Sequence, residues 1–305
     1  MFNRLALIAT LSLGALTLTG CGSGTAGAPA DGKLRISASF YPLQYVTARI
    51  AGNRAVVSSL TPPGGEPHDL ELTAKGVARI SDADLVVYLN GFQPAVDDAV
   101  KAEAKDHAIN VATGADLDLR LTERTPGARA STGTDPHFWL DPLRLNAVAG
   151  LIEQRLARID PAGAATYRAN LGSLTTDLTG LDTELRNGLG NCLNKDLVTS
   201  HQAFGYLAER YGLTQVGITG LVPEQEPDPA TLARVSDFVR KNHIRTIYYE
   251  TLISPVIART VAGETGATTA VLDPIESVTS RSQGHDYLAI MRSDLKNLQE
   301  GQPCS

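Results

Sequence analysis

From Lys33 onward, short β-branched runs alternate with amphipathic helical stretches, in two series separated by a segment with no strand signal. Alternation of this kind builds βα units, whose strands pair in parallel beneath covering helices. In the first series, strands are expected at Leu34 to Phe40, Ala55 to Leu60, Leu85 to Leu89 and Ile109 to Ala112. Helices fall near Leu43 to Ile50, Ala74 to Ile80 and Ala95 to Ala104. The second series has strands near Leu197 to Thr199, Gln215 to Thr219, Thr246 to Glu250 and Thr269 to Leu272. Its helices lie near Gln202 to Tyr211, Pro229 to Lys241 and Pro255 to Glu264, and a last one near Tyr287 to Leu298 precedes Cys304. The fold class is therefore α/β, with two lobes, each a four-stranded and mainly parallel sheet with flanking helices. The lobes are expected over 33–141 and 191–305.

The intervening 142–190 should be a helical linker, because Leu171, Leu174, Leu178, Leu181 and Leu185 recur at helical spacing. Asp160-Pro161 interrupts it, and Pro161 suits the first turn of a new helix. Pro161 to Leu189 would then be a rod of roughly 40 Å at about 1.5 Å per residue, rigidly joining the lobes. Gly172 and Gly180 weaken that rod by roughly 1 kcal/mol each relative to alanine.

The amino terminus carries a different message. Arg4 is followed by an apolar run from Leu5 to Thr19, the pattern of a secretory signal over 1–20. That run is too short to span a bilayer, and no later segment is apolar enough to do so. It ends in Leu18-Thr19-Gly20-Cys21, which resembles the box at which lipoproteins are cut and acylated on cysteine. Residues 21–32 then read as a flexible tether from a lipid on Cys21, holding the chain on the extracytoplasmic face of the cell membrane. Losing Arg4 takes the formal net charge from −6 to −7, which gives no electrostatic reason to bind nucleic acid. With Cys21 acylated, Cys192 and Cys304 remain as an even pair in an oxidising compartment, and a disulfide is expected.

Three of the six histidines share a topological position. His68 follows the Ala55 to Leu60 strand, His137 lies in Asp135-Pro-His137-Phe-Trp-Leu-Asp141-Pro after the fourth strand, and His201 directly follows Leu197 to Thr199. Ligands of open α/β sheets bind outside the carboxyl ends of strands, so these three should meet in one crevice. Asp273 ends the last strand and points to the same place. Three imidazoles and a carboxylate make a tetrahedral site for one zinc ion, whereas magnesium or calcium would want more oxygens. Glu66, two residues from His68, stands as an alternative carboxylate. His107, His243 and His285 have no such placement: the first two follow charged helix ends and the third sits in a polar loop.

The segments Gly65-Glu-Pro-His68-Asp-Leu-Glu-Leu-Thr73, Asp135-Pro-His137-Phe-Trp-Leu-Asp141-Pro142, Thr199-Ser-His201-Gln-Ala-Phe-Gly-Tyr206 and Val271-Leu-Asp273-Pro274 carry a resemblance. They look like the metal-binding signatures of the zinc/manganese solute-binding lipoproteins of ABC transporters. Glu226-Pro-Asp-Pro229 resembles the acidic-proline loop of that family. The resemblance implies a monomeric, non-enzymatic protein of two lobes bridged by a long helix, with metal in the cleft and delivery to a membrane permease. It implies His68, His137, His201 and Asp273 as ligands. A histidine at the third position, His201, goes with zinc, and a carboxylate there with manganese. One departure is plain: many zinc-specific members carry a His-rich acidic loop, and Gly114 to Thr134 has no histidine.

Two other classes compete. An envelope zinc hydrolase would use three histidines and an open fourth position to activate water, but there is no His-Glu-x-x-His helix and Asp273 would close the shell. A surface adhesin is the other, related lipoproteins having been described in that role, and no feature of the sequence points to an adhesive surface.

Overall fold

The computed structural model describes residues 32–119, 133–221, 223 and 226–304. The expected signal sequence, Cys21 and nearly all of the tether lie outside these residues, as does most of the histidine-free segment before Thr134. The elements run β1 (Leu34–Ala38), α1 (Tyr41–Ala51), β2 (Ala55–Ser59), α2 (Ala74–Ser81), β3 (Leu85–Tyr88), α3 (Pro94–Glu103), β4 (Ala108–Asn110) and α4 (Ala112–Ala115). Two long helices follow, α5 (Pro142–Ile159) and α6 (Ala164–Leu189). The rest is β5 (Asp196–Thr199), α7 (Gly205–Tyr211), β6 (Thr214–Gly217), α8 (Pro229–Lys241), β7 (Thr246–Tyr249), α9 (Val256–Thr265), β8 (Thr268–Val271) and α10 (Tyr287–Gly301).

The strands form two four-stranded sheets, ordered β2-β1-β3-β4 and β6-β5-β7-β8. Every pairing between these strands is parallel. The order reverses beside β1 in one sheet and beside β5 in the other, which opens a crevice at the carboxyl edge of each. Inner strands covered by helices on both faces carry apolar runs: Leu85, Val86 and Val87 of β3 are fully buried, as are Leu197 and Val198 of β5.

Most element boundaries differ from the sequence reading by one to three residues, two of them for evident local reasons. The strand expected to reach Ala112 stops at Asn110, whose Oδ1 accepts from the N–H groups of Asn90 and Ala112 at 3.1 Å each and turns the chain into α4. Helix α7 starts at Gly205 rather than Gln202, because the chain is still held at the sheet end: Gln202 N donates to the Gly220 carbonyl at 2.9 Å.

Asp141 caps α5 by accepting from Leu143 N at 2.9 Å, with Pro142 in the first turn where it lacks only an orphan donor. At the other end Asp160 takes both Arg54 nitrogens, at 2.7 and 2.9 Å. Pro161–Gly163 is a single 3-10 turn, so the rod proper begins at Ala164; its 26 residues span about 39 Å. Its buried stripe of Leu174, Leu178, Leu181, Leu185 and Leu189 faces a core continuous with both sheets, each buried leucine contributing about 1.5–3 kcal/mol. Asn170 and Asp177 tie α6 to α1, through the Ile50 carbonyl at 2.9 Å and Arg49 at 2.6 Å. Glu184 and Gly188 tie it to α10, through Arg292 at 2.7 Å and Gln299 at 3.3 Å. The long helix thus joins the lobes by packing on both.

Gly172 and Gly180 lie on the exposed face, and a Cβ at either would touch nothing within 4 Å. Alanine at each is expected to raise stability by about 0.5–1 kcal/mol, read as a higher urea midpoint at unchanged m. A lower midpoint would mean that α6 needs these glycines for bending. Cys192 and Cys304 form the expected disulfide, joining the segment after α6 to the end of α10 across a sequence separation of 112.

Candidate metal centre

The loop after β2 begins as a continuation of the ladder, Leu60 N and Thr61 N donating to the carbonyls of Ala38 and Ser39. Pro63-Gly64 then turns it, with Gly64 at φ 76° and Gly65 N bonded to the Pro62 carbonyl at 2.9 Å. This is the signature of a type II turn, in which the third residue must take a positive φ. The turn delivers His68, whose backbone N donates to Glu66 Oε1 at 3.0 Å.

His137 is fixed by Asp135, whose Oδ1 accepts from its backbone N at 2.9 Å and from its ring Nδ1 at 2.7 Å. Fully buried Phe138, Trp139 and Leu140 anchor the following turn. His201 is fixed in the same way by Glu250, at 3.2 Å to the backbone N and 2.6 Å to Nδ1. The register explains this pairing: Thr199 lies opposite Tyr248, so two residues further on 201 meets 250. A carboxylate can only accept, so Nδ1 of each ring carries the hydrogen and Nε2 is the atom aimed at the crevice.

These Nε2 atoms converge on the carboxylate of Glu276. Its Oε1 lies 3.2 Å from His68, 3.1 Å from His137 and 3.6 Å from His201, and the Nε2 atoms of His68 and His137 are 3.3 Å apart. One ligand atom from each of the four residues falls within 4.8 Å of every other. The side chains of His137, His201 and Glu276 are fully buried and that of His68 is 8% exposed. The rings of Phe92 and Trp139 close one side, 4.8 Å from the His68 ring and 5.2 Å from the His137 ring.

Such burial makes the charges interdependent. Burial alone would push the His137 and His201 imidazoles down, but Asp135 with Glu276, and Glu250 with Glu276, outweigh it and raise both, His201 strongly. Burial would likewise raise the Glu276 carboxyl, and the three histidines instead hold it well below its usual range. His201 Nε2 and Glu276 Oε2 are buried with no hydrogen-bond partner. Buried polar atoms of a native protein are normally satisfied, so this cluster has coordinating capacity that its own members do not use. Nitrogen and carboxylate donors in a four-membered set suit zinc.

Three sequence-derived candidates come together here, and the fourth does not. Asp273 turns back into the protein, its Oδ1 accepting from Ile275 N at 2.9 Å and its Oδ2 from the Thr251 hydroxyl at 3.0 Å. The carboxylate at the centre belongs to Glu276, three residues on. Pro274 stops β8, and an aspartate before such a break caps its own chain two residues ahead; that signal was available. Glu66 also stays outside the cluster, serving the His68 backbone. Of the two outer partners, Asp135 sits only two residues before His137, whereas Glu250 meets His201 through the register of β5 on β7, which nothing local to the sequence gives.

Two βα lobes enclosing a buried polar site between them are the architecture of a solute-binding protein. The chain belongs to the family described as zinc-uptake complex component A, periplasmic, whose model matches residues 36–301. It is similar to the zinc-binding lipoprotein AdcA of Streptococcus pneumoniae, 36% identical over 95% of this chain, and spans only 59% of that protein's length. The Zn(II)-bound ZnuA-like domain of the same protein superposes with a TM-score of 0.75, covering 89% of this chain and 99% of the domain. The high-affinity zinc uptake system protein ZnuA of Bacillus subtilis is 33% identical and matched over 98% of both chains. The laminin-binding protein Lmb of Streptococcus agalactiae, described as having adhesin and metal-transporting activity, is 30% identical with a TM-score of 0.77, covering 88% of this chain and 99% of that one.

Proposed function

We propose that this chain is an extracytoplasmic zinc-binding protein that captures one ion with His68, His137, His201 and Glu276 and delivers it to an ABC-type permease. The observation that carries this is the convergence of three imidazole nitrogens and one carboxylate in a buried pocket, with two of the rings pre-set by outer carboxylates. Pre-set rings need little reorganisation to bind, and outer partners of this kind raise ligand basicity. That the relative AdcA is a zinc-binding lipoprotein and the relative ZnuA a zinc uptake protein supports zinc as the cargo. Manganese, the alternative, favours more oxygen donors than this set contains.

Glu276 in the fourth position also argues against a hydrolase, since catalytic zinc keeps a position open for water. Anchoring through a lipid on Cys21 fits delivery at a membrane, as no helix among the described residues is long and apolar enough to cross one. The permease would meet a monomer whose lobes are held by α6, so transfer calls for a local change at a ligand loop rather than wide opening. The test is metal content of protein purified without added metal, with calorimetric titration of zinc and manganese into the stripped form. One equivalent of zinc, bound more tightly than manganese, is expected. Tighter manganese would overturn the cargo, and no binding of either would overturn the function.

A further inference from the structure

Helix α10 reaches back to the exit of β8 with two side chains. Asn297 Nδ2 donates to the Val271 carbonyl at 2.9 Å, and Asp294 Oδ1 accepts from Asp273 N at 3.0 Å. Asp273 continues the relay through its own carboxylate to Ile275 N, and Thr251 holds that carboxylate from the β7 exit. From the other lobe, Trp139 Nε1 donates to the Pro274 carbonyl at 2.7 Å. Positions 271, 273, 274 and 275 are thus each gripped, and the next residue is Glu276.

Two local costs sit inside this grip. Ile275 has φ 57°, a left-handed conformation that a β-branched residue adopts only when its surroundings over-determine it. Asp294 is buried among Ile290, Met291 and Leu298 on the core face of α10, and its Oδ2 has no hydrogen-bond partner. Burial and the neighbouring Asp273 hold its carboxyl well above the usual range. An apolar side chain would suit that helix face better; what the acid supplies is one acceptor for Asp273 N.

We infer that Asp294 and Asp273 are positioning residues, which lock the 273–276 arm so that the Glu276 carboxylate stands among the three imidazoles. The lock then governs affinity for the ion, alongside the ligands themselves. This inference rests on the ligand set proposed above.

Zinc titration of the stripped chain in a double-mutant cycle tests it. Asp294→Ala is expected to raise the zinc Kd by about 10–100-fold, the usual effect of losing an outer partner. Asp294→Asn, which keeps an acceptor oxygen for Asp273 N, should recover most of the affinity. In a Glu276→Ala background, Asp294→Ala should change Kd by less than about twofold, because coupled residues do not add. A merely structural role would lower the melting temperature of the stripped protein without producing this coupling. Wild-type affinity in folded Asp294→Ala, or an equal loss in both backgrounds, would overturn the lock. Should Asp294→Ala not fold, Asp273→Ala enters the same cycle under the same criteria. A Glu276→Ala protein with unchanged zinc Kd would overturn the ligand set and the lock together, whereas a Glu276 effect without an Asp294 effect overturns the lock alone.

Discussion

Saturating zinc is expected to raise the melting temperature of the stripped protein by about 10 °C, and Glu276→Ala to remove most of that rise. An ion present at about a thousand times its Kd adds roughly 4 kcal/mol to the folded state, and each kcal/mol moves the midpoint by about 2–4 °C in a domain approaching this size. Glu276 supplies the only carboxylate of the four-residue cluster. Without it the ion would sit among neutral imidazoles with no opposing charge in contact, in a buried pocket. The same substitution leaves buried imidazoles without their shared acceptor, and breaking a buried pair costs about 3–5 kcal/mol, so the starting midpoint should fall as well. The quantity to compare by calorimetry is therefore the rise on adding zinc. His201→Ala should lose it too. A Glu276→Ala protein that keeps the full rise would remove Glu276 from the centre.

Zinc affinity is expected to fall steeply as pH is lowered, by about two orders of magnitude per pH unit at its steepest, since two protons compete with the ion. His137 and His201 are both raised above 6.5 in the ion-free protein by their carboxylate neighbours. Below those raised values each ring holds a proton on the Nε2 that the metal needs, and binding must release it; above them the competition disappears. The sign for folding runs the other way. A raised histidine stabilises the ion-free fold fully below its unfolded value and loses that contribution as pH rises through the folded value. The rise in melting temperature on adding zinc should therefore be larger on the alkaline side. Titration in buffers of different ionisation enthalpy counts the released protons directly, and affinity independent of pH between 6 and 8 would contradict the assignment of these two rings.

The cluster was legible in part, and the reason differs from residue to residue. His68, His137 and His201 could be found because a parallel α/β sheet sends its loops to one edge, so position after a strand predicts convergence. Asp273 met the same criterion and failed, because a strand ending fixes where a backbone goes and leaves open where a short side chain turns. Its carboxylate is occupied by Ile275 N and Thr251, and the longer Glu276, emerging from a left-handed residue, reaches the centre instead. Asp135 is legible from its place two residues before His137, whereas Glu250 lies 49 residues from His201 and is found only through the register of β5 on β7.

What the sequence determined by itself were features set by short-range physics, the eight strands of the described residues, most of the helices between them and the break at Asp160-Pro161, together with the disulfide partners, which follow from the count of cysteines left after Cys21 rather than from any local signal. Apolar periodicity, caps and proline act within a few residues, so each could be read in place. The tertiary structure alone decided which carboxylate faces the histidines, which acids orient them, and that α10 grips the arm bearing Glu276. Those outcomes depend on register and side-chain direction between segments far apart in the chain, and they are fixed only when the lobes and α6 pack together.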